Sequence, residues 1–156
     1  MTVARATSAE LPALAALYDD TVRWLSERGV SQWQVGEHSV ERLAQTDAYV
    51  AWEDKRAVGG FLFVPPDPVL WPDTDTVAAR YLAGLVLARS HAGQGQALLT
   101  EAACHAATPR LRLDCWDGNE ALKAFYTRAG FTDCGTVPEQ TWVVRRFEKE
   151  FGEGRQ

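Results

Sequence analysis

The sequence predicts a single α/β domain, and three observations predict it. The chain has 156 residues, a length that suits one domain. Its apolar periodicity changes repeatedly between helix spacing and strand alternation, in the order β-α-α-β-β-β-α-β-α-β-β. One segment, "ARYLAGLVLA", is a continuous apolar run, as expected of a central strand covered on both faces. No repeat, low-complexity stretch or linker interrupts the chain, so residues 1–156 are read as one domain.

Each element has a local cause. "TVARAT" alternates and opens the chain as a strand. Thr7 and Glu10 make a Thr-x-x-Glu capping pattern. Leu11, Leu14, Leu17, Tyr18, Val22 and Leu25 follow at helical spacing, and Gly29 is a natural stop. The expected helix runs from about Ser8 to Arg28. Ser39 can cap a short second helix through Leu43. "AYVAWED" and "AVGGFLFV" read as strands joined by a tight turn at Asp54–Lys55. "PPDPVLWPDTD" is loop chemistry. After the central strand comes "HAGQGQALL", then a helix from about Gln96 to Ala107. "LRLDCW" alternates, with Leu111, Leu113 and Cys115 on one face and Arg112, Asp114 and Trp116 on the other. Asp117 or Asn119 can cap the next helix, which carries Leu122, Phe125, Tyr126 and Ala129 and ends at Gly130. "FTDCGTV" and "QTWVVRRFE" close the chain as strands.

Composition narrows the function. The net charge of −5 argues against nucleic acid as the main partner, because phosphate binding needs a basic face. It suits cationic substrates better. Three cysteines, none in a Cys-x-x-Cys pair, suggest neither a disulfide framework nor a zinc site. No metal is expected. The N-terminus lacks an apolar signal region, and the longest apolar run is about eight residues, too short to span a membrane. A cytoplasmic protein with reduced thiols is the expectation.

Two segments carry chemistry. In Gly93-Gln94-Gly95-Gln96-Ala97, glycines let successive backbone N–H groups converge, and the following helix adds its positive end. This is anion-binding hardware. It is neither the three-glycine dinucleotide fingerprint nor a Walker loop, which needs Gly-Lys-Ser/Thr. The second segment is "DCWDGNEALKAFYTRAGF", Asp114 to Phe131. Asn119 and Tyr126 lie about two helical turns apart and share one face.

Taken together, a strand, a Gly-x-Gly-x-Ala loop and a helix, followed by a strand, Asn-x-x-Leu-x-x-Phe-Tyr and Gly-Phe, resemble the GNAT superfamily of acyl-CoA-dependent N-acyltransferases. The resemblance covers nearly the whole chain in element order and is motif-specific over Tyr81 to Phe131. It implies a mixed, mostly antiparallel sheet of about six to seven strands, splayed in the middle and flanked by about four helices. It also implies acetyl-CoA as acyl donor. The pyrophosphate would lie on the backbone of Gly93, Gln94, Gly95, Gln96 and Ala97. Main-chain groups of Leu85, Val86 and Leu87 would meet the pantetheine arm and acyl carbonyl. Asn119, Phe125 and Tyr126 would line the pantetheine, with Tyr126 near the thioester sulfur. One position departs: the family's Arg or Gln opening the loop is Ala92 here, beside His91. Phosphate binding then falls to backbone N–H groups.

The transfer needs a neutral amine, N–H donors for the carbonyl oxygen and a hydrogen bond for the departing thiolate. Tyr126 can serve the sulfur. Full proton transfer from a phenol of pKa about 10 to a thiolate of about 8.5 is uphill by roughly 2 kcal/mol, so a hydrogen bond suffices. Asp114 is the favoured base among Glu37, His38, Asp114 and Asp117, because it faces away from Leu113 and Cys115. His38 is expected to be a solvated loop residue. Trp24, Trp33, Trp71 and Trp116 are the expected aromatic walls of the acceptor site. Asp67, Asp73 and Asp75 form a solvated acidic loop. The expected partner is a small-molecule amine, with no nucleic acid or membrane; a homodimer stays open. The competing reading is a noncatalytic acyl-CoA-binding or regulatory module on the same fold.

Overall fold

The structure, a computed structural model, describes residues 1–30 and 33–152. It contains strands β1 (Thr2–Arg5), β2 (Asp47–Glu53), β3 (Arg56–Val64), β4 (Arg80–Leu87), β5 (Arg110–Trp116), β6 (Thr132–Glu139) and β7 (Trp142–Glu150). The helices are α1 (Leu11–Ser26), α2 (Val40–Leu43), α3 (Gly95–His105) and α4 (Glu120–Arg128). The strands form one mixed sheet in the order β1-β2-β3-β4-β5-β7-β6. β1–β2, β2–β3, β5–β7 and β6–β7 pair antiparallel, and β4–β5 pair parallel at Arg80–Leu111 and Tyr81–Arg112. A parallel pair needs a crossover, and α3 supplies it. The chain divides into two compact units, Met1–Val64 with Ala83–Ala102 and Pro65–Leu82 with Ala103–Gln156.

In the first unit, α1 starts as the sequence expects. Glu10 accepts the Thr7 N–H at 2.8 Å, and Pro12 stands in the first turn, where no N–H is needed. Residues Ser8–Glu10 form a 3₁₀ turn rather than α-helix, so the regular helix is shorter than predicted. Gly29, at φ +74°, ends it in the left-handed region. Leu11, Leu14, Tyr18 and Val22 form the buried stripe. Leu11, Leu14 and Tyr18 pack with Leu43, Ala48, Val50, Leu62 and Val86. Each leucine buried this way contributes roughly 2 kcal/mol. Gly60 makes the close helix–sheet contact possible, since a Cβ there would stand 2.6 Å from the Leu14 side chain. Asp54 and Lys55 both have positive φ, as a type I′ hairpin turn requires.

In the second unit, Leu111, Leu113 and Cys115 of β5 are buried as their alternation predicts, along with Tyr126, Phe131, Val144 and Phe147. Arg112 breaks the pattern. It faces away from that row yet is only 3% exposed, because its guanidinium meets Asp73 at 2.7 and 2.9 Å, Glu148 at 3.0 Å and the Tyr81 hydroxyl at 3.1 Å. The acidic loop is therefore not simply solvated: Asp73 is committed to Arg112.

Candidate functional site

The site residues of the first unit lie on β4 and the segment after it. Within β4, Gly84 has a φ of +62°, which no β-branched residue would adopt readily. The Tyr18 hydroxyl donates to the Gly84 carbonyl, and a Cβ at position 84 would stand 2.7 Å from that hydroxyl. Tyr18 is fully buried, which raises its pKa and keeps it a donor at every working pH. His38 stacks on the Tyr18 ring at 4.0 Å, and Trp33 meets both rings edge-on at 5.5 and 5.0 Å. The expectation of a solvated His38 is thus corrected. It is buried; desolvation brings its pKa down to about 4, and its Nδ1 has no partner among the described residues. The apolar stack has taken it out of water.

Beyond β4, a 3₁₀ turn at Arg89–His91 leads into the glycine loop. His91 is fastened at both nitrogens, to Glu53 at 2.6 Å and to the Ser90 hydroxyl at 2.8 Å. It is an anchor for the loop entrance rather than a free side chain. Gly93 has φ +96°, with nothing within 4 Å of where a Cβ would be, and Ala92, Gly93 and Gln94 are exposed. α3 begins at Gly95, so the N–H groups of its first turn have no partner within the helix. An exposed left-handed glycine opening onto helix N–H donors fits a pyrophosphate group. Arg89, four residues before Gly93, holds its guanidinium 5.4 Å from the Trp24 ring, and Arg28 lies 4.0 Å from the same ring. Trp24, expected as an acceptor wall, carries two guanidiniums.

The second unit holds the remaining predicted residues. Asn119 accepts the Leu122 N–H at 3.1 Å and caps α4, settling the choice between Asp117 and Asn119. Asp117 is instead paired with Arg145 at 2.8 Å and Lys123 at 3.2 Å, which holds its carboxyl below the usual range. That removes it as a base. Tyr126 is buried among Phe125, Phe131 and Phe147 at 5.4–5.8 Å. Burial raises its pKa, and the neighbouring Cys115 and Asp114 add to the effect. The Cys115 thiol is pushed up to about 12, chiefly by burial, so it is no nucleophile at neutral pH. Asp114 makes no ion pair among the described residues: Arg112 is taken by Asp73 and Glu148, and Arg146, opposite Asp114 on β7, donates to the Leu70 and Cys134 carbonyls. Asp114 is an exposed residue, yet the protein around it takes water from its carboxyl. That desolvation, together with the charges of Glu139 and Asp67, raises its pKa to about 6. Trp116 is half-buried over Gly118. Trp71 is 4% exposed beneath Arg112 and Arg146, at 4.4 and 5.3 Å. Its indole is committed to holding the 65–79 loop, which leaves it little surface to act as a wall.

Tyr18 and Gly84 form a contact of this region that the sequence reading passed over. The available signal was a lone glycine inside an apolar strand, the mark of a bulge or a close approach.

A seven-stranded mixed sheet with a glycine-loop crossover and a capped Asn–Tyr helix defines a class, the acyl-CoA-dependent acyltransferases. The chain belongs to the acetyltransferase (GNAT) family, whose model matches residues 14–131. It is an N-acetyltransferase by class. It is 28% identical over 148 residues to the uncharacterized N-acetyltransferase YesJ of Bacillus subtilis (strain 168), covering 79% of this chain and 82% of that protein. A GNAT-family acetyltransferase from Streptococcus agalactiae 2603 superposes with a TM-score of 0.80 at 16% identity, over 97% of this chain and 96% of the other. RimL, a ribosomal L7/L12 α-N-protein acetyltransferase solved in complex with coenzyme A, gives a TM-score of 0.63 at 21% identity, over 96% and 93%. These two structures share the fold. Among the described residues, no helix is long and apolar enough to cross a membrane.

Proposed function

We propose that the protein transfers the acetyl group of acetyl-CoA directly to a primary amine of a small molecule. The observation that carries the donor half is the exposed left-handed Gly93 opening onto the first turn of α3. The acceptor half is supported by a cavity of about 570 Å³ whose apolar lining is Val22, Val30, Trp33 and Val35, with Arg23 and Glu27 as one charge of each sign. That volume suits a small ligand.

In this reading the backbone of Gly93 to Ala97 binds the pyrophosphate, and the main chain of Leu85 to Leu87 meets the acyl carbonyl. Asn119 and Phe125 touch the pantetheine. Acetyl-CoA supplies a thioester already activated toward amines. Asp114 accepts the amine's proton, directly or through water, since a base must be deprotonated and near its working pH to act. Tyr126 keeps its own proton and donates a hydrogen bond to the departing sulfur. Arg89 stands in for the side chain missing at Ala92. Trp24 holds Arg89, and Trp33 and Trp116 are the aromatic groups offered to the acceptor.

The test is release of free coenzyme A thiol across a panel of small amines, polyamines and peptide N-termini. The proposal expects release stimulated by a small amine. Stimulation by peptides alone would move the acceptor to proteins. No stimulation, with acetyl-CoA still raising the melting temperature, would leave a noncatalytic binding module.

A further inference from the structure

We infer that Tyr18 is a positioning residue for the transfer: by holding the Gly84 carbonyl it aims the Leu85 N–H at the acyl carbonyl oxygen. The inference rests on the donor reading above and adds the residue that sets its geometry. The Gly84 C=O and the Leu85 N–H belong to one planar trans peptide and point in opposite directions. The Tyr18 hydroxyl, reaching from α1, takes the carbonyl on its side. The N–H must then point away from α1, out of the direction that a regular ladder would give it. Gly84 alone can make this turn. Its φ is +62°, and any side chain there would collide with the Tyr18 hydroxyl and crowd Leu62 at 3.3 Å.

The pin is rigid. Tyr18 is fully buried in the apolar cluster of α1, β2 and β3. Its ring is clamped by His38 at 4.0 Å and an interplanar angle of 14°, with Trp33 edge-on at 5.5 Å. A phenol serving packing alone needs no hydroxyl, and phenylalanine fills the same space. Here the hydroxyl is spent on the carbonyl of the residue at which β4 takes a positive φ. A preorganised main-chain donor is worth most when it does not have to reorient during the reaction, which is what such a clamp secures.

The test compares wild type with Tyr18→Phe, which keeps the ring and deletes the hydroxyl. The readouts are the carbonyl stretch of bound 13C-labelled acetyl-CoA, and kcat and KM with the best acceptor. A polarising N–H lowers the wild-type carbonyl frequency relative to free acetyl-CoA. In Tyr18→Phe the frequency should return toward the free value, with kcat down at least tenfold and KM for acetyl-CoA within about twofold. Gly84→Ala, which pushes the hydroxyl away instead, should give the same spectral change if it folds. A Tyr18→Phe protein with a lower melting temperature but unchanged frequency and kcat would make Tyr18 purely structural and overturn the inference. The spectrum needs no acceptor, so it is read even if no amine turns over. A wild type that does not bind acetyl-CoA would overturn the donor reading and this inference with it.

Discussion

The two units fix their functional residues by opposite means. Around β4 the work is done by neutral groups: a phenol on a carbonyl, an uncharged imidazole stacked on the phenol, and an indole across both. Around β5 it is done by charge. Arg112 is held by Asp73 and Glu148, Arg110 by Glu148 and Glu150, and Asp117 by Arg145 and Lys123. Neutral contacts hold the Gly84 carbonyl with no change of charge above about pH 4, where His38 titrates. The ionic lattice does something different, in that it commits Arg110, Arg112, Lys123 and Arg145 to other carboxylates, while Arg146, opposite Asp114 on β7, donates to the Leu70 and Cys134 carbonyls. Asp114 is left on β5 without a cation, and its pKa rises to about 6 rather than falling. A carboxylate stabilised by Arg112 would be a poor base, whereas an unpaired one is a usable base near neutrality.

The comparison breaks most sharply at Asp114. As a base it acts when deprotonated, so kcat/KM of the wild type should rise with pH through about 6. Asp114→Asn should lose that limb and roughly 100-fold or more in kcat. The folded protein holds the proton of Asp114 more tightly than the unfolded chain, so this group costs stability as pH rises from 3.8 toward 6. The variant's melting temperature at pH 7.5 should therefore not fall. Activity lost together with melting temperature would make Asp114 structural.

Arg112→Leu tests the lattice itself. Removing the buried guanidinium takes Asp73 from its partner and leaves Glu148 with Arg110 alone, and should lower Tm by several degrees. Thermal denaturation checks it, and a shift under 2 °C would show that the lattice is not what holds this unit. The smallest expected effect is at Arg89→Ala. If Arg89 serves the cofactor's phosphates, KM for acetyl-CoA should rise about threefold with kcat unchanged, and the difference should shrink at high salt. An unchanged KM would leave phosphate binding to the backbone alone.

The neutral, main-chain half of the molecule was the more legible in the sequence. The capping pair Thr7–Glu10, the Ser39 cap, the Asp54–Lys55 turn and the Gly93 loop are local signals, realised by local hydrogen bonds or positive φ, and in the other unit the Asn119 cap is as local. What escaped depends on distance along the chain. Tyr18 reads as one more member of an apolar stripe, and only folding brings it to a glycine 66 residues later. Arg112 reads as a solvent-facing strand residue, and nothing local indicates that Asp73 will bury it. His38 and Trp71 looked available for the same reason, as polar or aromatic residues in loops whose packing partners lie elsewhere.

Transfer itself is tested most directly with acetyl-CoA labelled with 13C in the acetyl group, mixed with protein and acceptor amine and followed by mass spectrometry of both. The label should appear as the N-acetyl group of the amine, in step with thiol release, while the mass of the intact protein stays unchanged before and after acceptor is added. Label retained on the protein, or thiol released with no labelled amine, would contradict direct transfer.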